Sequence, residues 1–319
     1  MFHGSSNSDP QRTQASWRSL GNLFGRVLVA PSLVLATAVL VFAQAKPDTE
    51  PQPQTITTKD GVPLKITYYP SVRGKEAAVV ILVHMKDGNR FVWKDFAERL
   101  QREEFAVVTV DLRGHGESRP AAASTTKAAT LRPADYAAMA AMDMEAVKKF
   151  IYDMHQEEKL NMNKTGIVGA EMGATIAAFW AAADWAKTPH SDGIGEFRTP
   201  RGQDVRAIVL ISPQTNISGL AIQKPLTYLG DPALNIAFLI AWGEKVGADR
   251  TTGTKMFDLI SKAPDSTKRM FKEGYDAKLK GTELMGKQLK LEDHMSTFFT
   301  KFLRDIPSEW RGRKSKLED

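Results

Sequence analysis

The chain has 319 residues, with 43 Lys and Arg against 37 Asp and Glu for a net charge of +6, 42% hydrophobic and 25% charged residues. That balance belongs to a globular chain long enough for one large α/β domain or two small ones, and it excludes collagen-like, coiled-coil and wholly disordered classes. With no cysteine, disulfide scaffolds, thiolate zinc sites, iron–sulfur clusters and a cysteine nucleophile are excluded too.

Residues 1–26 are polar and carry Arg12, Arg18 and Arg26 against Asp9; Val27 to Ala43 is uncharged and mostly aliphatic, and Ala43-Gln44-Ala45 closes the run. A basic stretch, an apolar run and an A-x-A site form the pattern of a signal peptide, which predicts cleavage after Ala45 and an exported, periplasmic or secreted protein. The alternative is a retained anchor. The 17 residues from Val27 to Ala43 are near the lower limit for a spanning helix, and Pro31, Ser32 and Thr37 weaken that reading; a membrane is a partner only if the segment stays. Lys46 to Gln54, KPDTEPQPQ, has the composition of a linker with no fold of its own. Cleavage leaves 40 basic residues against 36 acidic ones, a charge of +4 that argues for no acidic partner. The basic excess in residues 262–290 and the tail 306–319, with Arg311, Arg313, Lys314 and Lys316, reads as solvated faces. These cations form no basic stripe with interleaved aromatic residues, so no nucleic-acid partner is expected.

The remainder, residues 55–305, alternates strands and helices. Ile56 to Tyr69 forms two alternating runs around Asp60-Gly61, an opening β-hairpin. Ala77 to His84 (AAVVILVH) is a strand covered on both faces, Phe91 to Arg102 a helix, and Phe105 to Asp111 (FAVVTVD) the next buried strand. Pro133 opens a long helix whose Tyr136, Ala140, Val147, Phe150, Ile151 and Met154 recur every three or four residues. Thr165 to Gly169 is a strand, Met172 to Ala186 a helix, Arg206 to Ser212 and Ile236 to Trp242 strands. Ser266 to Lys280 holds a last strand, and Leu291 to Leu303 closes the chain as an amphipathic helix. This order predicts an α/β fold with a mostly parallel central sheet and helices on both faces.

Four stretches then fall in a familiar order: LVHMKDGNRFVWKDFAERL from Leu82, VVTVDLRGHGES from Val107, IVGAEMGA from Ile167 and LIAWGEKVGAD from Leu239. Together they resemble the α/β-hydrolase superfamily over about Thr55 to Asp305, with DLRGHGES as the most specific piece. About 23 residues between Ser212 and Ile236 leave no room for an inserted helical cap. The resemblance is therefore to compact, capless esterase and dienelactone-hydrolase-like members, with an open site that only residues 112–132 can overlie.

The resemblance implies a G-x-S-x-G elbow, whose tight strand-to-helix turn lifts a nucleophilic serine into the site. Here it reads Gly169-Ala170-Glu171-Met172-Gly173: both glycines are kept and Glu171 stands at the serine position. One reading is a lost nucleophile and a degenerate triad, leaving a binding or structural role toward a small molecule or a protein. The other is a carboxylate nucleophile, by analogy with the aspartate of haloalkane dehalogenases and epoxide hydrolases. That alternative is an active hydrolase of a small ester, epoxide or halide using Glu171 with His294 and Asp249.

The family order of nucleophile, acid and base leaves His294 as the only histidine late enough to be the base. Lys280-Gly281-Thr282, however, looks like the family's H-G-T motif with lysine in place of histidine, so Lys280 and His294 compete for the base position. Asp249 is the candidate acid, on a loop. The resemblance also implies an oxyanion hole from the backbone amides of Met85 and Met172. It leaves His84 and His115 as structural histidines, and Arg113 and Glu117 as loop braces. If Lys280 holds the base position, Glu171 and Lys280 are expected to face each other as an ion pair. No His/Asp/Glu cluster has metal-ligand spacing, and no cofactor is expected.

Overall fold

The uncharged run Ala78–Val83 has no polar face, so it can be stable only as a strand buried on both sides. In the computed structural model, which describes residues 49–119, 131–262 and 265–317, it is β3, at the middle of an eight-stranded sheet. The strands are β1 (Gln52–Thr57), β2 (Pro63–Tyr69), β3 (Ala78–Val83), β4 (Ala106–Val110), β5 (Asn161–Ala170), β6 (Val205–Ile211), β9 (Ala237–Gly243) and β10 (Met270–Tyr275). Their order is β1-β2-β4-β3-β5-β6-β9-β10. The β1–β2 and β2–β4 pairs are antiparallel and every other pair is parallel.

Alternation along each strand divides the core. Val79, Ile81 and Val83 belong to one apolar cluster, packed with α3 (Met144–Gln156), α4 (Met172–Trp185), α5 (Gln223–Leu229) and α6 (Gly247–Ile260). Ala78, Val80 and Leu82 belong to the other, under α1 (Lys94–Arg102) and α7 (Leu291–Phe299). Helix α4 is buried around almost its whole circumference, as a helix between a sheet and a second helix layer must be.

Several boundaries differ from the sequence expectation for identifiable reasons. The linker reading of residues 46–54 is corrected at its end, because β1 begins at Gln52; half-buried Gln52, Gln54 and Ile56 alternate with exposed Pro53, Thr55 and Thr57, which suits an edge strand, where proline is tolerated. The helix expected from Phe91 starts with a 3-10 turn, Arg90–Trp93, before α1. The long helix from Pro133 is α2 (Pro133–Ala138), a π turn at Met139–Asp143, then α3. The wide turn sets the buried Asp143 against Arg113, whose Nε donates to it at 2.7 Å. The closing helix likewise passes into a π turn at Thr300–Arg304. Residues 213–235 hold a short hairpin of β7 (Asn216–Ile217) and β8 (Leu220–Ala221), then α5.

The tail is not simply a solvated basic face. Arg313 is 4% exposed and pairs with Asp204, while Lys148 bridges Asp184 and Asp204. The expected signal segment and residues 120–130 lie outside the described residues. Among the described residues no helix is long and apolar enough to cross a membrane.

Candidate functional site

The site is built where β5 turns into α4. Glu171 takes φ 47° and ψ −107°, a sparsely populated backbone region that costs on the order of 1–3 kcal/mol and persists only where surroundings enforce it. Here they do. The Glu171 amide donates to Ile211 O at 2.8 Å. A Cβ at Gly173 would stand 2.5 Å from His84 O and 2.7 Å from Val83 O, and one at Gly169 would run into the backbone of Gly173. Only glycines let the strand, the turn and β3 approach this closely. The sharp elbow survives with a carboxylate at its tip.

That carboxylate is 8% exposed, and its Oε1 lies 2.9 Å from Lys280 Nζ; the lysine side chain is 50% exposed. The expected ion pair is therefore present. The hydrogen bond to Glu171, followed by its charge, raises the Lys280 pKa above the ordinary lysine value, so Lys280 stands as an ammonium with no lone pair to accept a proton. Its neighbour Gly281, at φ 54°, sits against Glu171, where a Cβ would come within 3.0 Å of Glu171 Cγ. Gly281 N donates to Ser212 Oγ at 2.8 Å, and Ser212 N to Ala241 O at 2.7 Å. Ser212 thus ties the lysine loop to the ends of β6 and β9. The sequence reading used it only as a strand terminus, although a buried serine ending an apolar strand at the carboxyl edge of the sheet is a signal for such a tie.

The remaining candidates separate. His294 lies in α7, where its Nδ1 shares a 2.9 Å hydrogen bond with Tyr275 Oη; the structure pairs it with Tyr275, and Lys280 takes the place beside Glu171. Asp249 is in the first turn of α6 rather than on a loop. Its Oδ2 is enclosed and makes no hydrogen bond among the described residues, and its charge acts on Lys280.

Met85 follows β3 beside the elbow, because Val83 pairs with Gly169. Its carbonyl accepts from His84 Nδ1 at 2.7 Å and from Gly88 N at 3.0 Å. Met172 opens α4, so its amide has no acceptor within the helix.

His84 is structural in its contacts. It is completely buried, Nδ1 donates to Met85 O, and Nε2 accepts from Leu112 N at 3.2 Å. Burial, then the His115 ring 4.8 Å away, pushes its pKa down to about 3, which keeps it neutral.

The DLRGHGES segment is braced by charge. Arg113 reaches Asp60 at 2.7 Å as well as Asp143, and Glu117 Oε2 meets Arg90 Nη2 at 2.5 Å. Buried Asp111 accepts from Arg90 Nη1 and from Glu117 N. Arg90, which the sequence gives no role, is the cation that joins these acids.

Comparison with known proteins bears on the fold. Residues 78–241, just over half of the chain, match the family model described as the alpha/beta hydrolase fold. A dienelactone hydrolase from Anabaena variabilis superposes with a TM-score of 0.52 at 17% identity, covering 79% of this chain and 99% of its own. A thermostable carboxyl esterase from Bacillus coagulans gives 0.57 at 12% identity, with 79% and 98% covered. An esterase from Pyrococcus furiosus gives 0.54 at 15%, with 80% and 92% covered. At these identities the likeness is one of fold. No curated protein matches the chain.

Proposed function

The chain belongs to the α/β-hydrolase fold family, and from that premise we propose that its elbow site binds a small molecule or a protein partner without carrying out acyl transfer. The observation that carries the reading is the 2.9 Å contact between Lys280 Nζ and Glu171 Oε1. Acyl transfer on this fold needs a hydroxyl, a base to take its proton, and amides that receive the oxyanion. Here a carboxylate replaces the hydroxyl. A lysine held charged replaces the base. The negative charge of Glu171 beside the amides of Met85 and Met172 opposes a second negative charge developing there. An active hydrolase using Glu171 as nucleophile would need a base to activate water for the second step, and His294 is engaged with Tyr275 instead.

The test is hydrolysis of p-nitrophenyl acetate and butyrate together with labelling by a fluorophosphonate probe. The expected result is no turnover above a heat-denatured control and no label. Turnover that disappears in Glu171→Ala overturns the reading.

We further propose export, with residues 1–45 as a signal peptide, from the basic, apolar and A-x-A pattern. Intact-mass measurement on protein from the producing cell then finds Lys46 as the first residue. A species that retains Val27 to Ala43 and partitions into membranes marks the segment as an anchor instead.

A further inference from the structure

Ile194, Phe197 and Leu317 are the most exposed large hydrophobic residues among the described residues, at 86%, 80% and 67%. Scattered singly, such residues need no explanation. Here two share one loop and the third lies on the segment bonded to it. His190 N donates to Thr199 O at 2.9 Å, and Asp192 Oδ1 accepts from Thr199 N at 2.9 Å, which closes residues 190–199 into a loop. At its tip is the 3-10 turn Gly195–Phe197, with Phe197 N donating to Ile194 O at 3.1 Å. Ile194, in extended conformation, leads into the turn and Phe197 ends it, so both stand at the tip of the loop. The other oxygen of Asp192 accepts from Ser315 Oγ at 2.9 Å and Lys316 N at 3.3 Å, and this holds Leu317 beside the loop.

Two exposed cations flank the tip: Arg198 directly follows the turn, and Lys316 is bonded to Asp192 through its amide. The acid at the loop base, Asp192, is turned into the backbone and hydroxyl donors named above, which hold its pKa well below the usual carboxylate range. Large apolar side chains at a projecting tip with cations on its flank are the arrangement that enters a bilayer at the headgroup boundary while meeting anionic phosphates. A neutral protein surface would cover the tip and gain nothing from the two cations.

We propose that this tip docks on an anionic lipid surface, with Ile194, Phe197 and Leu317 entering the headgroup boundary and Arg198 and Lys316 facing lipid phosphates. The docking is independent of the elbow site and of whether residues 27–43 are retained.

The absence of cysteine makes a site-specific test possible in the full chain. Phe197→Cys carrying an environment-sensitive fluorophore is mixed with vesicles of equal parts phosphatidylcholine and phosphatidylglycerol. Its emission shifts to the blue, and the shift is weaker on phosphatidylcholine alone. The same label at Lys59→Cys, in the exposed turn after β1, does not shift. In a background of Arg198→Glu with Lys316→Glu, the apparent vesicle affinity falls by about tenfold or more. Binding through residues 27–43 alone leaves the reporter unchanged. The proposal is overturned by an unshifted label at position 197, by an equal shift at position 59, by the same shift on duplex DNA without lipid, or by a lipid-free shift that grows with protein concentration.

Discussion

The lysine that meets Glu171 is half exposed while the carboxylate is almost wholly enclosed, and this asymmetry sets what each partner contributes. Water already solvates much of the Lys280 charge, so the pair as a unit is worth about 1 kcal/mol or less. Removing the lysine is different, because it strands a carboxylate on a strained elbow with no other cation in contact among the described residues. Lys280→Met is expected to destabilise by about 1–3 kcal/mol, the cost of leaving a buried acceptor unpaired. Glu171→Gln costs about 1 kcal/mol or less, because the freed ammonium turns to solvent. The double variant recovers part of the loss, so a urea-unfolding cycle over the four proteins gives a coupling term of the opposite sign. Penalties that simply add would show that the two charges do not depend on one another.

At the level of elements, legibility followed the range of the interactions. Strands β3 and β9 are continuous apolar runs and β4 and β6 are each broken by one residue, Thr109 and Arg206, and a run buried on both faces announces itself locally. Helix α6 does not: its first half, Gly247 to Thr254, offers no apolar side chain beyond Ala248, so no stripe marks it and the sequence alone puts Asp249 on a loop. β1 was hidden by its Pro and Gln content, which an edge position permits. In the site, Glu171 and Lys280 were legible because each departs from a short motif at a defined place. Ser212 and Arg90 were not, because their partners Gly281 and Asp111 lie far away in sequence. The tail is the clearest case of long-range dependence. Its cations read as solvated, yet Arg313 closes a buried cluster with Asp184, Asp204 and Lys148, and burial lowers its pKa to about 10. Removing it leaves two enclosed carboxylates to share Lys148. Arg313→Ala is therefore expected to cost about 3–5 kcal/mol in chemical denaturation, whereas Lys316→Ala, at an exposed position, changes stability by about 0.5 kcal/mol or less. Equal effects of the two would return the tail to a solvated face.

Across the whole molecule, enclosed histidines tie stability to pH. His84 is held neutral with its pKa pushed down to about 3, and burial also lowers His115 and His155. An unfolded chain titrates its histidines near pH 6.5. Below that pH the unfolded state binds protons that the native state refuses, so stability falls as the solution is acidified and is fully present only above about pH 6.5. Each of the three contributes up to about 1.4 kcal/mol per pH unit between its two pKa values. Asp143 acts in the opposite sense. Complete enclosure raises its carboxyl to about 6, against the pull of the Arg113 hydrogen bonds, so between about pH 6 and 4 it takes up a proton on folding and offsets one histidine. His84 alone offsets it over that range, and the lowering of His115 and His155 adds to the fall. At the acid end Asp60, lowered to about 2 chiefly by its hydrogen bond to Arg113, adds a further loss as it protonates first in the unfolded chain. The urea midpoint should therefore fall steadily from pH 7 to pH 4, and His84→Gln, although less stable at pH 7, should show a shallower fall. A midpoint that rises on acidification, or an identical slope in His84→Gln, would mean that the buried imidazoles are not what links this fold to pH.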